Sequence, residues 1–283
     1  MATPSVADVL AEIPRALEEC ARVALCQIVR VQGSTPARAG WKMLVRPGGA
    51  TFGNLGGGAF EAMVRRDACD LLESAGASRV ERYYLTEEAV KGQPTGMVCG
   101  GMIEVLLELL TAKPLLAICG GGPVGQALAR QAAFCDFEVA VADDREDFRR
   151  PELFPPGTHC LAVSRDYAGD FLAGWRHREL YVAVVSRCWE TDLAATAAVL
   201  RSRPEGLRYL GLMGSQRKVA RVTSELAALS LDVATAPWRA PIGLAIGGAT
   251  PAEIAVSIVA ELIRERSGAE AGEAAPRGAV RLA

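Results

Sequence analysis

Leu115-Leu116-Ala117-Ile118-Cys119-Gly120-Gly121-Gly122-Pro123-Val124-Gly125 is the stretch on which the fold turns. Residues 115–118 form a short apolar run with the length and character of a buried strand, and helical spacing follows through Ala127, Leu128 and Ala132. Between them Gly120, Gly122 and Gly125 make G-x-G-x-x-G. In that setting the first glycine permits a tight turn, the second lets the backbone approach a phosphate, and the third lets helix and strand pack closely. The helix N-terminus then holds a phosphate or pyrophosphate. About twenty residues on, the next apolar run ends at Asp143-Asp144-Arg145, where an acidic side chain is placed to accept from a ribose hydroxyl. The glycines could serve only to turn the chain. The position of Asp143 favours a nucleotide-like ligand instead.

Further apolar runs at 138–142, 160–163, 181–185 and 209–213 alternate with crossover segments, which predicts a parallel sheet wound by right-handed crossovers. Thr250, Pro251 and Glu253 open a last helix with a capping box, running to about Arg266. Ala112-Lys113-Pro114 reads as a linker. Before it, Val6, Val9, Leu10, Ile13 and Leu17 recur at helical spacing behind the capping pair Ser5 and Asp8. Strands are expected at 23–31, 43–45, 80–85 and 102–110. The Gly33-Ser34-Thr35-Pro36 turn follows the first, and a helix through Phe60, Val64 and Leu71 follows Gly56-Gly57-Gly58. Residues 86–95 read as an exposed polar loop. The expectation is thus an N-terminal α/β domain over 1–111 and a Rossmann-type, doubly wound parallel-sheet domain over 115–266. An Ala/Gly/Glu-rich tail over 267–283 is expected to be disordered.

Composition narrows the function. The chain has 283 residues, with 31 basic and 33 acidic side chains and a formal charge of -2, so no overall field favours nucleic acid or an anionic membrane. No apolar run approaches the roughly 20 residues needed to cross a bilayer, and the start lacks the pattern of a signal peptide. A cytoplasmic location is expected. The 8 cysteines form no C-x-x-C pair, and with only 2 histidines a His-rich metal centre is disfavoured.

Three further places could carry chemistry. Gly56, Gly57 and Gly58 lead from a strand into a helix and could cradle an anion, or simply turn. Ser215 reads as an N-cap before Gln216, Arg217 and Lys218 at a strand's carboxyl end; the cluster either faces the same crevice as Gly122, with Lys218 the preferred cation, or is solvated surface charge. Cys99, before Gly100 and Gly101 at the end of the polar loop, reads either as a reachable thiol or as a small buried hydrophobe, whereas Cys26 and Cys119 sit within apolar strands and read as packing residues. A thiolate suits molybdenum or a persulfide sulfur.

Taken in order, these pieces resemble the XdhC/CoxI family, accessory factors of xanthine dehydrogenase and related molybdenum hydroxylases. The resemblance runs from Gly33-Ser34-Thr35-Pro36 through Gly56-Gly57-Gly58 with Glu61, Cys99-Gly100-Gly101, the Gly120 loop, Asp143 with Arg145, residues 211–218, Pro241-Ile242-Gly243-Leu244 and residues 254–258. It implies a chaperone that binds molybdenum cofactor (molybdopterin), supports its sulfuration and delivers it to apo xanthine dehydrogenase. The implied partners are that apoenzyme, a cysteine desulfurase and molybdenum cofactor biosynthesis proteins. On the same grounds Cys99 would approach the metal or its sulfur, the turns would hold the phosphate or nucleotide end, and Glu61 and Lys218 would position the rest. Where the family commonly carries histidines, this chain has Pro123 and the segment Ser186-Arg187-Cys188-Trp189.

Two other classes fit the same sequence. An NAD(P)-dependent oxidoreductase would use the Gly120 loop and Asp143 but has no recognisable proton-transfer motif. A nucleotide-sensing assembly scaffold shares the fold without chemistry. A homodimer is the default oligomer.

Overall fold

The structure is a computed structural model that describes residues 4–35, 37–74, 76–85, 93–94, 101–167, 171–175 and 177–267. The chain divides into two compact units, Met1–Ala112 and Lys113–Ala283.

The first unit opens with α1 (Val6–Glu19), and the capping box forms as expected, with the Ser5 hydroxyl accepting from the Asp8 N–H. The strands β1 (Arg22–Gln32), β2 (Lys42–Val45) and β3 (Thr51–Gly53) precede α2 (Gly58–Ser74). They are followed by β4 (Arg79–Tyr84), β5 (Gln93–Pro94) and β6 (Met102–Thr111). The sheet order is β3-β2-β1-β6-β4-β5, antiparallel except where β4 meets β5. Alternation along β1 explains the layering. Ala24, Cys26 and Ile28 point into a core with Phe60, Val64 and Leu71 of α2, while Val23 and Leu25 meet Val9 and Ala16 of α1 on the opposite face. Burial pushes the Cys26 thiol up to about 12, as befits a packing residue.

The second unit follows as β7 (Leu115–Cys119), α3 (Pro123–Phe134), β8 (Glu138–Asp143), β9 (His159–Ala162), β10 (Leu180–Val184), α4 (Trp189–Ser202), β11 (Leu207–Leu212), α5 (Gln216–Ala228), β12 (Trp238–Arg239) and α6 (Pro251–Ser267). Every strand pairing is parallel. The order β12-β11-β10-β7-β8-β9 is the doubly wound order of dinucleotide-binding domains. Both faces of the sheet are covered, so β7 and β10 are buried at every position and read as unbroken apolar runs. Leu115, Ala117, Val182 and Val184 pack on the side of Ala195, Val199 and Val222, and Leu116, Ile118 and Ala183 on the side of Leu128, Ile258 and Leu262. Ser267 closes α6; residues 268–283 lie outside the described residues, as does most of the expected loop 86–95.

Among the described residues, no helix is long and apolar enough to cross a membrane.

Candidate functional site

In a sheet of this order, the chain leaves β7 in one direction and β10 in the other, which opens a crevice beyond their carboxyl ends. Here it is a cleft of about 280 Å³ bordered by Gly120, Gly122, Arg145, Phe148, Ser186 and Arg187. The glycines of the turn do different work. Gly120 has a φ of 119°, and a Cβ on it would lie 2.9 Å from the Val185 carbonyl oxygen. A Cβ on Gly121 would lie 1.8 Å from the Phe148 carbonyl oxygen, and one on Gly125 would lie 1.9 Å from that of Gly120. These positions exclude side chains because backbone already fills the space. At Gly122, the N-cap of α3, nothing lies within 4 Å of a Cβ. The first helical bond back to this residue is donated by the Gln126 N–H, 2.9 Å from the Gly122 oxygen. The preceding N–H groups, on Val124 and Gly125, therefore have no acceptor within the helix.

Asp143 stands where expected, at the end of β8, but it faces inward and is 3% exposed. One carboxylate oxygen accepts from the Gly121 N–H at 2.8 Å and from Arg145 Nη2 at 3.1 Å. The other accepts from the Arg145 N–H at 2.9 Å and Nε at 3.0 Å. Those bonds fill the roughly four acceptor sites of a carboxylate. A ribose hydroxyl could be received by Asp143 only if Arg145 let go. The Arg145 guanidinium also stacks on Phe148, 3.6 Å from the ring centre, which fixes its plane at the cleft edge.

Across the cleft, Arg187 meets Asp144 in a bidentate pair at 2.7 and 2.8 Å, and the guanidinium draws the Asp144 carboxyl down to about 2. Arg187 follows β10 and Asp144 follows β8, so the pair ties the strands on either side of β7. Ser186, also on the cleft wall, donates its hydroxyl to Asp192 at 2.6 Å and its N–H at 3.2 Å. Asp192 is fully buried, and burial raises its pKa despite the ammonium of Lys218 against it. Lys218 thus answers a buried acid on α4 and is absent from the cleft lining. Ser215 caps α5, accepting from the Lys218 N–H at 3.3 Å, and is likewise absent from the cleft lining.

The Gly56 turn is built differently. Gly56, Gly57 and Gly58 all have positive φ, but the Leu55, Gly56 and Gly57 donors are committed. The Glu61 carboxylate accepts from Leu55 N–H at 3.0 Å and Gly57 N–H at 3.2 Å, and the Asn54 side chain accepts from Gly56 N–H. Glu61 holds its own turn closed. Cys99 lies outside the described residues. Its neighbour Gly101 is buried, and a Cβ there would come within 2.5 Å of the Ser34 carbonyl oxygen. The Gly33-Ser34-Thr35 turn and the strand entry after Cys99-Gly100 therefore meet in space. Cys119 is packing material, its thiol pushed by burial up to about 12.

Arg187, Ser186 and Phe148 complete the cleft without having been singled out as binders from sequence. The strand order carries the signal that would have found the first two, because the residues after the fourth strand of such a sheet must face those after the first.

Two family models match the chain, one described as the XdhC Rossmann domain over residues 116–262 and one as the XdhC and CoxI family over residues 16–84. Among curated proteins, the chain is 30% identical over 271 residues to the Uncharacterized protein YqeB of Escherichia coli (strain K12), covering 94% of this chain and 47% of that protein. It is 29% identical over 162 residues to a probable xanthine dehydrogenase subunit of Bacillus subtilis (strain 168), covering 57% of this chain and 46% of that one. The chain thus spans about half the length of these curated relatives. A crystal structure described as a xanthine dehydrogenase from Bacillus halodurans aligns at a TM-score of 0.48 with 21% identity, over 94% of this chain and 97% of that one. With a parallel sheet of dinucleotide-binding order and a matched Rossmann model spanning 116–262, the chain belongs to the XdhC and CoxI family.

Proposed function

We propose that this protein serves the maturation of a xanthine dehydrogenase or related molybdenum hydroxylase, as a carrier that binds molybdenum cofactor, supports its sulfuration and hands it to the apoenzyme. The observation that carries this reading is the cleft beside Gly122: an unfilled glycine N-cap with two guanidinium groups on its rim, in a chain of this family. The phosphate end of the cargo fits there, because helix N–H groups and guanidinium groups both favour an anion. Gly120 and Gly125 shape the turn, and Asp143 holds Gly121 and Arg145 in place. The Ser215, Lys218 and Asp192 assembly braces the wall. Cys99 is the proposed thiol toward molybdenum or its sulfur. Gly56, Gly57, Gly58 and Glu61 keep a shaping role in the N-terminal unit.

The reading carries further proposals: a cytoplasmic location, assembly as a homodimer, and a cysteine desulfurase and cofactor biosynthesis proteins as partners. It is tested by purifying the chain from cells that make molybdenum cofactor and assaying the extract for pterin fluorescence. Retained pterin that transfers to apoenzyme is the expected result, and Cys99→Ala is expected to lower transfer while leaving thermal stability unchanged. Absence of pterin together with tight NAD(P)H binding and turnover would assign the chain to the oxidoreductases instead.

A further inference from the structure

The rim of the cleft distinguishes between kinds of ligand. An unphosphorylated ribose at the end of the second strand of such a sheet is recognised through a carboxylate with acceptor sites to offer, whereas a phosphate on that ribose is received by a nearby arginine. Asp143 has none to offer, since the Gly121 N–H and three donors of Arg145 occupy its two oxygens. Arg145, by contrast, has donors to spare. A guanidinium carries five N–H groups; Asp143 takes one from Nε and one from Nη2, leaving the rest for the cleft that Arg145 lines. Arg187 is in the same position, giving one donor from each terminal nitrogen to Asp144. Each arginine is held in place by an acid on one edge and open on another. The next acids along the chain, Glu146 and Asp147, do not line the cleft.

We infer that this cleft selects a phosphomonoester over the corresponding free hydroxyl, with Arg145 and Arg187 as the specificity-determining pair. The inference rests on the proposed function only in taking the cleft beside Gly122 as the ligand site. A dianionic phosphate gains from two charge-assisted forks, where a neutral hydroxyl would gain only ordinary hydrogen bonds. Two sources supply that chemistry: the terminal phosphate of a phosphorylated pterin and the 2′-phosphate of an adenine dinucleotide.

The test is calorimetry on the full chain with two matched pairs of probes, 6-hydroxymethylpterin phosphate against 6-hydroxymethylpterin, and NADP⁺ against NAD⁺. At least one phosphorylated probe is expected to bind more tightly than its partner by about tenfold or more, as charge-assisted contacts imply. The pair that shows the preference identifies the source. Arg145→Lys and, separately, Arg187→Ala are expected to shrink that preference by weakening the phosphorylated probe. Arg187→Ala guards against a folding defect, since its partner Asp144 retains some access to water. Equal binding within both pairs, no binding by any probe, or a preference that survives both substitutions would each overturn the inference. Loss of pterin retention in cells alongside a persisting NADP⁺ preference would instead remove the chaperone reading and leave this one standing.

Discussion

Two glycine-rich turns lead from a strand into a helix in this chain, and they end in opposite chemical states. At Gly56, Gly57 and Gly58 the first N–H donors are taken by Asn54 and by Glu61 of the helix itself, so the turn carries its own anion. At Gly120, Gly121 and Gly122 the nearby acids are answered by cations: Asp143 by Arg145, Asp144 by Arg187 and Asp192 by Lys218. The helix start beyond Gly122 is left open to a ligand. Glycine supplies the backbone freedom in both turns. What separates the two turns is how many of their N–H groups side-chain oxygens take: those of Leu55, Gly56 and Gly57 in the first, against that of Gly121 alone in the second.

The sharpest way to break the second arrangement is to remove one of its cations. Lys218→Met leaves Asp192, which has no exposed surface, as an uncompensated buried charge, and the expected loss is about 3–5 kcal/mol. Burial already raises the Asp192 pKa, and losing the ammonium raises it further. A group with a folded pKa above its unfolded value costs stability as pH rises through that interval, so the defect should be smaller at mildly acid pH than at neutral pH. Thermal melts of variant and parent across that range measure both; a variant as stable as the parent at neutral pH would mean that Lys218 compensates nothing.

Next in size is the contrast within the Gly120 turn. Gly121→Ala drives a methyl into the Phe148 carbonyl and should cost about 3 kcal/mol or more. Gly122→Ala points into open space and should cost about 1 kcal/mol or less, the usual range for a cap position. The bulkier Gly122→Val should fold and yet lose ligand affinity, by placing side-chain atoms where a phosphate would sit. Denaturant melts and calorimetry on the same three variants separate the two effects. Comparable melting losses at 121 and 122 would erase the distinction between packed and open glycines.

The Gly56 turn offers the converse experiment. Glu61→Ala frees the Leu55 and Gly57 N–H groups, and losing hydrogen bonds to a charged acceptor should cost about 1.5–3 kcal/mol. If a built-in carboxylate is what closes this turn, added phosphate should then raise the melting temperature of the variant more than that of the parent. A variant that ignores phosphate would show that the turn is unfit for anions even when emptied.

Much of this arrangement was legible in the sequence, and the rest was hidden for identifiable reasons. The strands β7, β8, β10 and β11 announced themselves because a sheet covered on both faces must be built from unbroken apolar runs. The short strands β3 and β12 did not, since three residues and two residues carry no periodicity to read. The glycines of both turns were visible as a pattern. The partners of the acids were not: whether Asp143 faces a ribose or reaches back to the Gly121 N–H, 22 residues earlier, depends on a rotamer and on the burial around it. Lys218 illustrates the same limit, because its contact with Asp192 exists only once α4 and α5 are packed side by side.

The smallest expected effect concerns the Asp144 and Arg187 pair, which joins the ends of β8 and β10 over β7. Its carboxyl is drawn from an ordinary value of 3.8 down to about 2, chiefly by hydrogen bonds from the guanidinium, against a smaller opposing push from desolvation. A carboxylate with a depressed folded pKa adds stability that is fully present above its unfolded value and is lost as pH falls through the folded one. The pair should therefore stabilise the Rossmann unit at all pH values above about 4 and cease to do so near pH 2. Arg187 is 35% exposed, so solvent and salt screen the pair and the gain is modest. Melting curves of Asp144→Asn and the parent should differ at pH 5 and converge toward pH 2, with a gap that narrows in added salt. A gap that persists undiminished at pH 2 would mean that Asp144 acts there through shape and hydrogen bonding rather than charge, and the neutralisation of acids around an open turn would then rest on Asp143 and Asp192 alone.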